Sequence, residues 1–418
     1  MVPSLKSRNN SNNNNSLDNI YSTASKDLKW AVGLNRAVLK ILGVWYYNNQ
    51  SQWQTLTFNF QTFIFVIGIF TFVTFPQTLA LIKIWGDLTL IVDNLIVNLP
   101  ITTCELKIFI LWWHKKVLVA LFDEIEKDWH GIKNEYERNI MIKYATISRI
   151  MTICGLCGAF FSLILYQGPL TFGIVLRTIT NLTDDPDNLF SLQAVYLYDT
   201  STTYSYYLTR LSQIVGCGLS AVAYTSADVL FGMIVLHVCG QLEILASRIQ
   251  IIADKPQYFS RLLREHVKNH VRLIRFVQDI EKIFSLMLLA LFGSVAVTFC
   301  IQGFQFINVF TDTTVDLPIT QMVFYMQFLS YCLFLTFVYS WVGETLLTQS
   351  SAIYTAACDC NWISCDHNEV KDIILMIFRS QYPLQITAGN LIPLSMNTFV
   401  QLLKTSGGYI SFLLAVKE

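Results

Sequence analysis

An all-α polytopic membrane protein is the fold class this sequence predicts, and three observations predict it. Charged residues make up 14% of the 418-residue chain, against roughly a quarter in soluble domains. Hydrophobic residues reach 53%. No Asp, Glu, Lys or Arg interrupts 41–82, 150–176, 283–311 or 317–343, and each window exceeds the ~20 apolar residues that cross a bilayer as a helix. Twenty-nine basic residues balance twenty-nine acidic ones, so no net field favours nucleic acid or an acidic partner.

Residues 1–29 are polar and Asn-rich, with no apolar core ahead of a cleavage site, which predicts a retained, disordered tail. Spans follow near 54–76, 88–113, 144–167, 206–240, 283–310, 319–343 and 382–416, seven in all, so the termini are expected on opposite sides. Twenty-two Lys and Arg fall in 1–40, 114–143, 241–282 and 344–381, whereas Lys83, Arg177 and Lys417 are the three on the other side. The positive-inside rule then predicts a cytosolic N-terminus and an extracellular C-terminus, the reverse of a G-protein-coupled receptor.

The Asn181-Leu182-Thr183 sequon falls in the 168–205 loop, outside in this orientation, which makes Asn181 the candidate glycosylation site. Seven of the ten cysteines lie in spans and Cys358, Cys360 and Cys365 face the cytosol, so no structural disulfide is expected. Residues 241–282 read as helical on both sides of a turn near Asp254–Pro256. Leu242, Leu245, Ile249 and Ile252 recur at helical spacing, and Leu262, Val267, Val271, Ile274 and Val277 continue the stripe. Helices of this kind project beyond the bilayer and bury that stripe in a cytosolic bundle.

Catalytic signatures are sparse. His367 and Asp372 match the H-x4-D spacing of acyltransferases, a spacing also met in ordinary solvated helix starts. His266 and His270 share a helix face, but Arg264, Lys268 and Arg272 around them oppose a cation. Cys358, Cys360, Cys365 and His367 are spaced poorly for structural zinc. Polar residues inside spans carry more information, because each is costly there unless it faces protein or water. Asp93, Asn94, Glu105, Lys107, Arg210, Gln213 and Asp228 are such residues, and they either pair with one another or line a cavity. In the last span, Thr405–Gly408 is too polar to face lipid comfortably. Beyond it Tyr409, Phe412, Leu413 and Val416 fall on one helical stripe. Spacing alone favours core packing for that stripe, with a hydrophobic pore constriction as the alternative.

The run from Ile377 to Phe399, read as Ile-Phe-Arg-Ser-Gln-Tyr-Pro-Leu-Gln-Ile-Thr-Ala-Gly-Asn-Leu-Ile-Pro-Leu-Ser-Met-Asn-Thr-Phe, is followed by Leu403-Lys404-Thr405-Ser406. It resembles the C-terminal signature of the insect odorant receptors. Asp228-Val-Leu-Phe with His237 and Gln241, His270, Trp341–Gln349 and Asp27–Arg36 are weaker echoes, which extend the resemblance over essentially the whole chain. One departure stands out: the family often has Tyr-Ser-Tyr-Phe where this chain has Gly407-Gly408-Tyr409-Ile410.

The resemblance implies a ligand-tuned subunit of an odorant-gated, non-selective cation channel. Such a subunit works as a heterotetramer with the shared co-receptor in the plasma membrane of olfactory sensory neurons. The stretch 252–262 is too short for the co-receptor's long insertion. The resemblance also implies a division into a tail (1–29), six spans with the ligand pocket in the outer half (30–343), cytosolic anchor helices (344–393) and a pore-lining last span (394–418). Tyr409, Phe412, Leu413 and Val416 then become gate residues rather than core. The pocket, between spans two, three, four and six, has Val97, Cys157, Phe161, Tyr207, Leu211, Ile214 and Tyr325 as candidate walls for a small apolar odorant or pheromone. No cofactor or metal is implied. A homomeric gustatory-type channel and, remotely, a membrane acyltransferase built on His367 are the alternatives.

Overall fold

A computed structural model of the chain describes residues 6–45, 51–131, 134–252, 256–311, 319–360 and 367–417. In chain order it comprises α1 (Lys6–Ile41), α2 (Gln52–Ile69), a π turn (Phe70–Thr74), α3 (Phe75–Lys83), α4 (Leu88–Trp113), α5 (Lys115–His130) and α6 (Glu135–Gln167). There follow α7 (Thr203–Gln250), α8 (Phe259–Thr311), α9 (Ile319–Asp359), α10 (His367–Ser380), β1 (Thr387–Ala388), β2 (Ile392–Pro393) and α11 (Met396–Lys417).

Among the described residues, six helical rods are long and apolar enough to cross a membrane: Gln52–Lys83, Leu88–Trp113, Glu135–Phe172, Thr203–Gln250, Phe259–Gly303 and Gln321–Asp359. They correspond to the first six expected spans. The expected 382–416 segment is divided instead. Gly389 and Asn390 take left-handed backbone angles (φ 63 and 58), Thr387 and Ala388 pair antiparallel with Pro393 and Ile392, and helix resumes only at Met396.

That hairpin shows what the C-terminal signature encodes. Leu391 N–H donates to Ala388 C=O at 3.1 Å across the two left-handed residues, a turn that needs Gly and tolerates Asn. Gly389 N–H donates to Ser285 C=O at 2.9 Å, and Ile386 and Ala388 are fully buried, so the hairpin is locked onto α8. At its other end Gly343 of α9 lies so close that a Cβ there would stand 2.4 Å from Leu394 O.

α7 is the axis. Of its apolar window 89% is buried, and it packs against α4, α6, α8 and α9. α7 ends at Gln250 and α8 begins at Phe259, on either side of the turn expected near 254–256, of which 254 and 255 lie outside the described residues. The stretch 1–29, expected as a disordered tail, is helical from Lys6. The physical reason lies in the second half of α1, where Ala31, Val32 and Leu39 are buried in the core and Asp27 receives Arg138 of α6 at 2.6 and 3.0 Å. Docking of this kind stabilises a helix that composition alone does not.

The π turn has an identifiable cause. Pro76 has no N–H for Phe72 C=O four residues back, and Tyr196 OH donates to that carbonyl at 3.2 Å instead. Val195 N–H adds a bond to Pro76 C=O at 3.0 Å. The loop between α6 and α7 is thereby clamped to the first rod.

At the opposite end of the bundle, α5, α7 and α8 meet. Asp128 accepts from His237 Nε2 at 3.1 Å and from Arg272 Nη1 at 2.7 Å, while Arg272 also reaches Glu124 at 3.2 Å. Burial would raise the Asp128 carboxyl, but the bond and charge of His237 and then the charge of Arg272 outweigh it and hold the group below its ordinary range. A carboxyl ionised more readily in the folded state adds stability above its unfolded pKa of ~3.9 and loses it as pH falls through the lower folded value. Asp128→Asn is therefore expected to melt below the parent at pH 7. The gap should close as pH is taken below about 4, read by thermal unfolding of the detergent-solubilised protein.

Candidate ligand-binding site

Helices α4, α6, α7, α8 and α9 leave a cavity of about 150 Å³ between them. Pro100 shapes one wall, since it has no N–H to donate to Ile96 C=O, and both residues border the void. α6 contributes Ala159, Ser162, Leu163 and Tyr166; α7 contributes Cys217, Ser220, Ala221, Tyr224 and Thr225. α8 adds Leu291, Ser294, Val295 and Thr298, and α9 adds Phe324, Phe328, Tyr331, Leu335 and Thr336. Each set repeats at three- and four-residue steps, one face of each helix. Small side chains on α6, α7 and α8 open the space, and the α9 aromatics limit it. Phe324 and Phe328 stack at 5.8 Å, with Tyr166 4.9 Å from Phe324.

Most wall hydroxyls do not make the site polar. Ser162, Ser220, Thr225, Ser294, Thr298 and Thr336 each donate to a carbonyl of their own helix at 2.7–2.9 Å. Among the described residues no wall thiol or hydroxyl is bonded to a histidine or carboxylate, so no nucleophile is wired to a base. What such a wall can do is exclude water and bury a small apolar body.

Both ends are closed by buried polar networks. Toward the α6–α7 loop, Asp93 accepts from Tyr325 OH and Gln305 Nε2 at 3.1 Å each and from Thr178 N–H at 2.8 Å. Arg177, only 5% exposed, forks onto Asp184 at 2.9 and 2.5 Å. Tyr166 OH donates to Ser191 C=O at 2.9 Å, so the loop is a stopper bonded to the cavity wall itself. At the other end Lys107 Nζ and Tyr339 OH both donate to Asp228 Oδ1 at 2.5 Å. The Lys107 ammonium lies 3.3 Å from the centroid of the Tyr224 ring, a cation–π contact under a wall residue. α4, α7 and α9 are joined at that point.

Of the ligand-contact residues expected from sequence, Val97 borders the cavity. Tyr325 is buried just beyond it, in the Asp93 network. Cys157 and Phe161 lie on the exposed side of α6, and Tyr207, Leu211 and Ile214 on the exposed side of α7, nearer its start than the lining residues. The structure therefore does not bring these five to the void. It also adds α8, the fifth rod, to the expected four-helix wall. The signal for the α9 wall was present in the chain: Phe324, Phe328, Tyr331, Leu335 and Thr336 form a continuous helical stripe. Of the expected gate residues, Tyr409, Phe412, Leu413 and Val416 lie in α11, but their side chains fall outside the described residues. Asn181 is exposed in the α6–α7 loop.

Long apolar helices around an apolar void are the frame of a helical membrane protein with room for a small apolar guest. The profile of the 7tm Odorant receptor family matches residues 87–407, and the chain belongs to that family; it is a receptor and not an enzyme. It is similar to odorant receptor Or2 of Anopheles gambiae, 23% identical over 351 residues that cover 81% of this chain and 87% of the relative. It is also similar to odorant receptor 13a of Drosophila melanogaster, 26% identical over 253 residues, 56% of this chain and 59% of the relative's length. The insect olfactory receptor OR5 from Machilis hrabei shares the fold, with a TM-score of 0.77 at 15% identity over 94% of this chain and 99% of the other. The same receptor in complex with eugenol matches equally.

Proposed function

We propose that the chain is the odorant- or pheromone-binding subunit of a ligand-gated, non-selective cation channel. It works as a heterotetramer with the odorant receptor co-receptor in the plasma membrane of olfactory sensory neurons. The observation that carries this reading is the apolar cavity of about 150 Å³ inside a chain of this family. A void of roughly that size in a protein core takes a benzene-sized guest. A single ring buries roughly 150–250 Å², worth about 4–6 kcal/mol, which corresponds to dissociation constants of about 30 μM to 1 mM. The eugenol complex of the related fold supports the same ligand class, one ring with few polar atoms.

In this reading the N-terminus is cytosolic, Asn181 carries glycan outside the cell, and 344–393 anchors neighbouring subunits. α11 is the seventh span, with Tyr409, Phe412, Leu413 and Val416 lining the pore. A ligand that prefers the open arrangement shifts the equilibrium by its differential affinity alone. Whole-cell recording from cells expressing the chain with the co-receptor tests this. An odorant-evoked inward current is expected, and Phe412→Ala and Val416→Ala are expected to raise the resting current severalfold. Resting and evoked currents that both stay at parental values would remove the gate assignment. Evoked current without any co-receptor would replace the heteromer with a homomeric channel.

A further inference from the structure

Basic side chains collect at the corner where α4, α5 and α8 meet. α4 ends at Trp113, and Lys115 and Lys116 open α5. α8 packs against α4 and α5, with Arg272 bonded to Glu124 and Asp128 of α5, and it carries Lys282 ten residues farther along, immediately before its charge-free stretch. The His114 imidazole is held below its ordinary protonation range by partial burial and then by the Lys282 ammonium. Lys115 is depressed in the same way by burial and by Lys116. Lys115 is fixed in place, donating to Asn59 Oδ1 at 3.0 Å and lying 5.0 Å from the Trp112 ring.

Among the described residues Lys116 and Lys282 make no ion pair, and both are exposed. The nearby acids of α8 are Asp279 and Glu281, neither of them, again among the described residues, in an ion pair with these lysines, and Glu281 accepts from Thr387 Oγ1 at 2.5 Å. The positive end of the α5 dipole adds to the field, because lysines stand in a first turn where acids are the usual choice. Directly beside this patch the surface is apolar. Trp113 is 68% exposed with Phe109 6.0 Å from it, and Leu286 lies exposed one turn beyond Lys282.

We infer that this corner binds the headgroup of an anionic phospholipid, with a phosphate held between Lys116 and Lys282 and an acyl chain lying along Phe109, Trp113 and Leu286. Charge selects the phosphate and the adjoining apolar face selects a lipid over a free anion. Arg275 is exposed and two turns from Lys282 along α8, about 10 Å away, within reach of a second phosphate on a polyphosphorylated headgroup. Basic pockets between membrane helices recognise such headgroups. The leaflet depends on the orientation proposed above; the site itself does not.

Native mass spectrometry of the purified full-length chain, titrated with phosphatidylinositol bisphosphate, phosphatidylcholine or free inositol trisphosphate, tests the site. The bisphosphate lipid is expected to bind at least tenfold more tightly than phosphatidylcholine. At about fivefold per lysine, Lys116→Gln with Lys282→Gln should weaken it about thirtyfold, whereas Lys116→Arg with Lys282→Arg should retain it within about threefold. Where the double variant does not fold, Lys282→Gln alone carries the test, at about fivefold. Equal binding of the two lipids, or parental binding by the glutamine variants, would overturn the site. Free inositol trisphosphate binding as tightly as the lipid would overturn the lipid as its ligand.

Discussion

Exchanging Lys107 for methionine is expected to destabilise the folded chain by about 3–5 kcal/mol, the range found when one member of a buried ion pair is removed. The side chains of Lys107 and Asp228 are 0% and 4% exposed, so the remaining carboxylate has no route to water. Tyr339 OH still donates to Asp228 Oδ1, but one neutral hydroxyl does not replace an ammonium. Adding Asp228→Asn to Lys107→Met should recover most of the loss, because the second change removes the stranded charge and leaves Tyr339 a partner. Thermal unfolding in detergent reads both variants. A single Lys107→Met that melts with the parent would show that the pair holds nothing together. The same variant also removes the cation from beneath Tyr224, so ligand responses should fall with the folded fraction.

That pair marks the boundary of what could be read from the chain. Both residues were recognisable as costly intramembrane charges, but they are 121 positions apart in sequence. Nothing in hydropathy states that α4 and α7 bring them together. Asp93 and Glu105 follow the same rule: the first is taken up by Gln305, Tyr325 and Thr178, the second by Thr74 Oγ1 at 2.7 Å. Four of the six rods were legible because absence of charge over twenty residues is a local property; α4 and α7, which carry Asp93, Glu105, Lys107, Arg210 and Asp228, were legible from their mean apolar character. The hairpin was half legible. Its residues carried the family resemblance, whereas its interruption of the expected last span rests on two left-handed angles that only Gly389 and Asn390 announce.

The cavity wall was least legible, and for a geometrical reason. Successive residues on a helix turn by 100°, so Phe161 and Ser162 look in different directions although they are neighbours. Phe161 points out at 54% exposure while Ser162 lines the void. Cys157 and Phe161 were expected to form the α6 wall, and Tyr207, Leu211 and Ile214 the α7 wall. Instead the void exists where those helices carry Ala159, Ser220 and Ala221. A pocket is a deficit of side chain, and a search for bulky apolar residues on those two helices finds their outer faces.

The same deficit makes the cavity easy to abolish. Ser294 borders the void and spends its hydroxyl on Leu291 C=O within its own helix, so Ser294→Phe places a ring in space that the receptor otherwise leaves for a guest. The displaced guest forfeits its whole burial term, about 4–6 kcal/mol, and odorant-evoked current should fall by more than a hundredfold in potency. Surface expression should stay near parental, because the ring occupies an existing void. Phe328→Ala works in the opposite direction. It should lower thermal stability by about 3–5 kcal/mol in the absence of ligand, and it should shift preference toward larger odorants. Each added methylene that fills the new space is worth about 0.8 kcal/mol, close to fourfold in potency. Concentration–response curves for a homologous series of alkyl-substituted aromatics separate the two outcomes. A Ser294→Phe receptor that reaches the membrane and answers the whole series with parental potency would move the binding site away from this cavity. A reversal of rank order in Phe328→Ala, with bulkier members rising as smaller ones fall, would locate the size filter at the α9 aromatics.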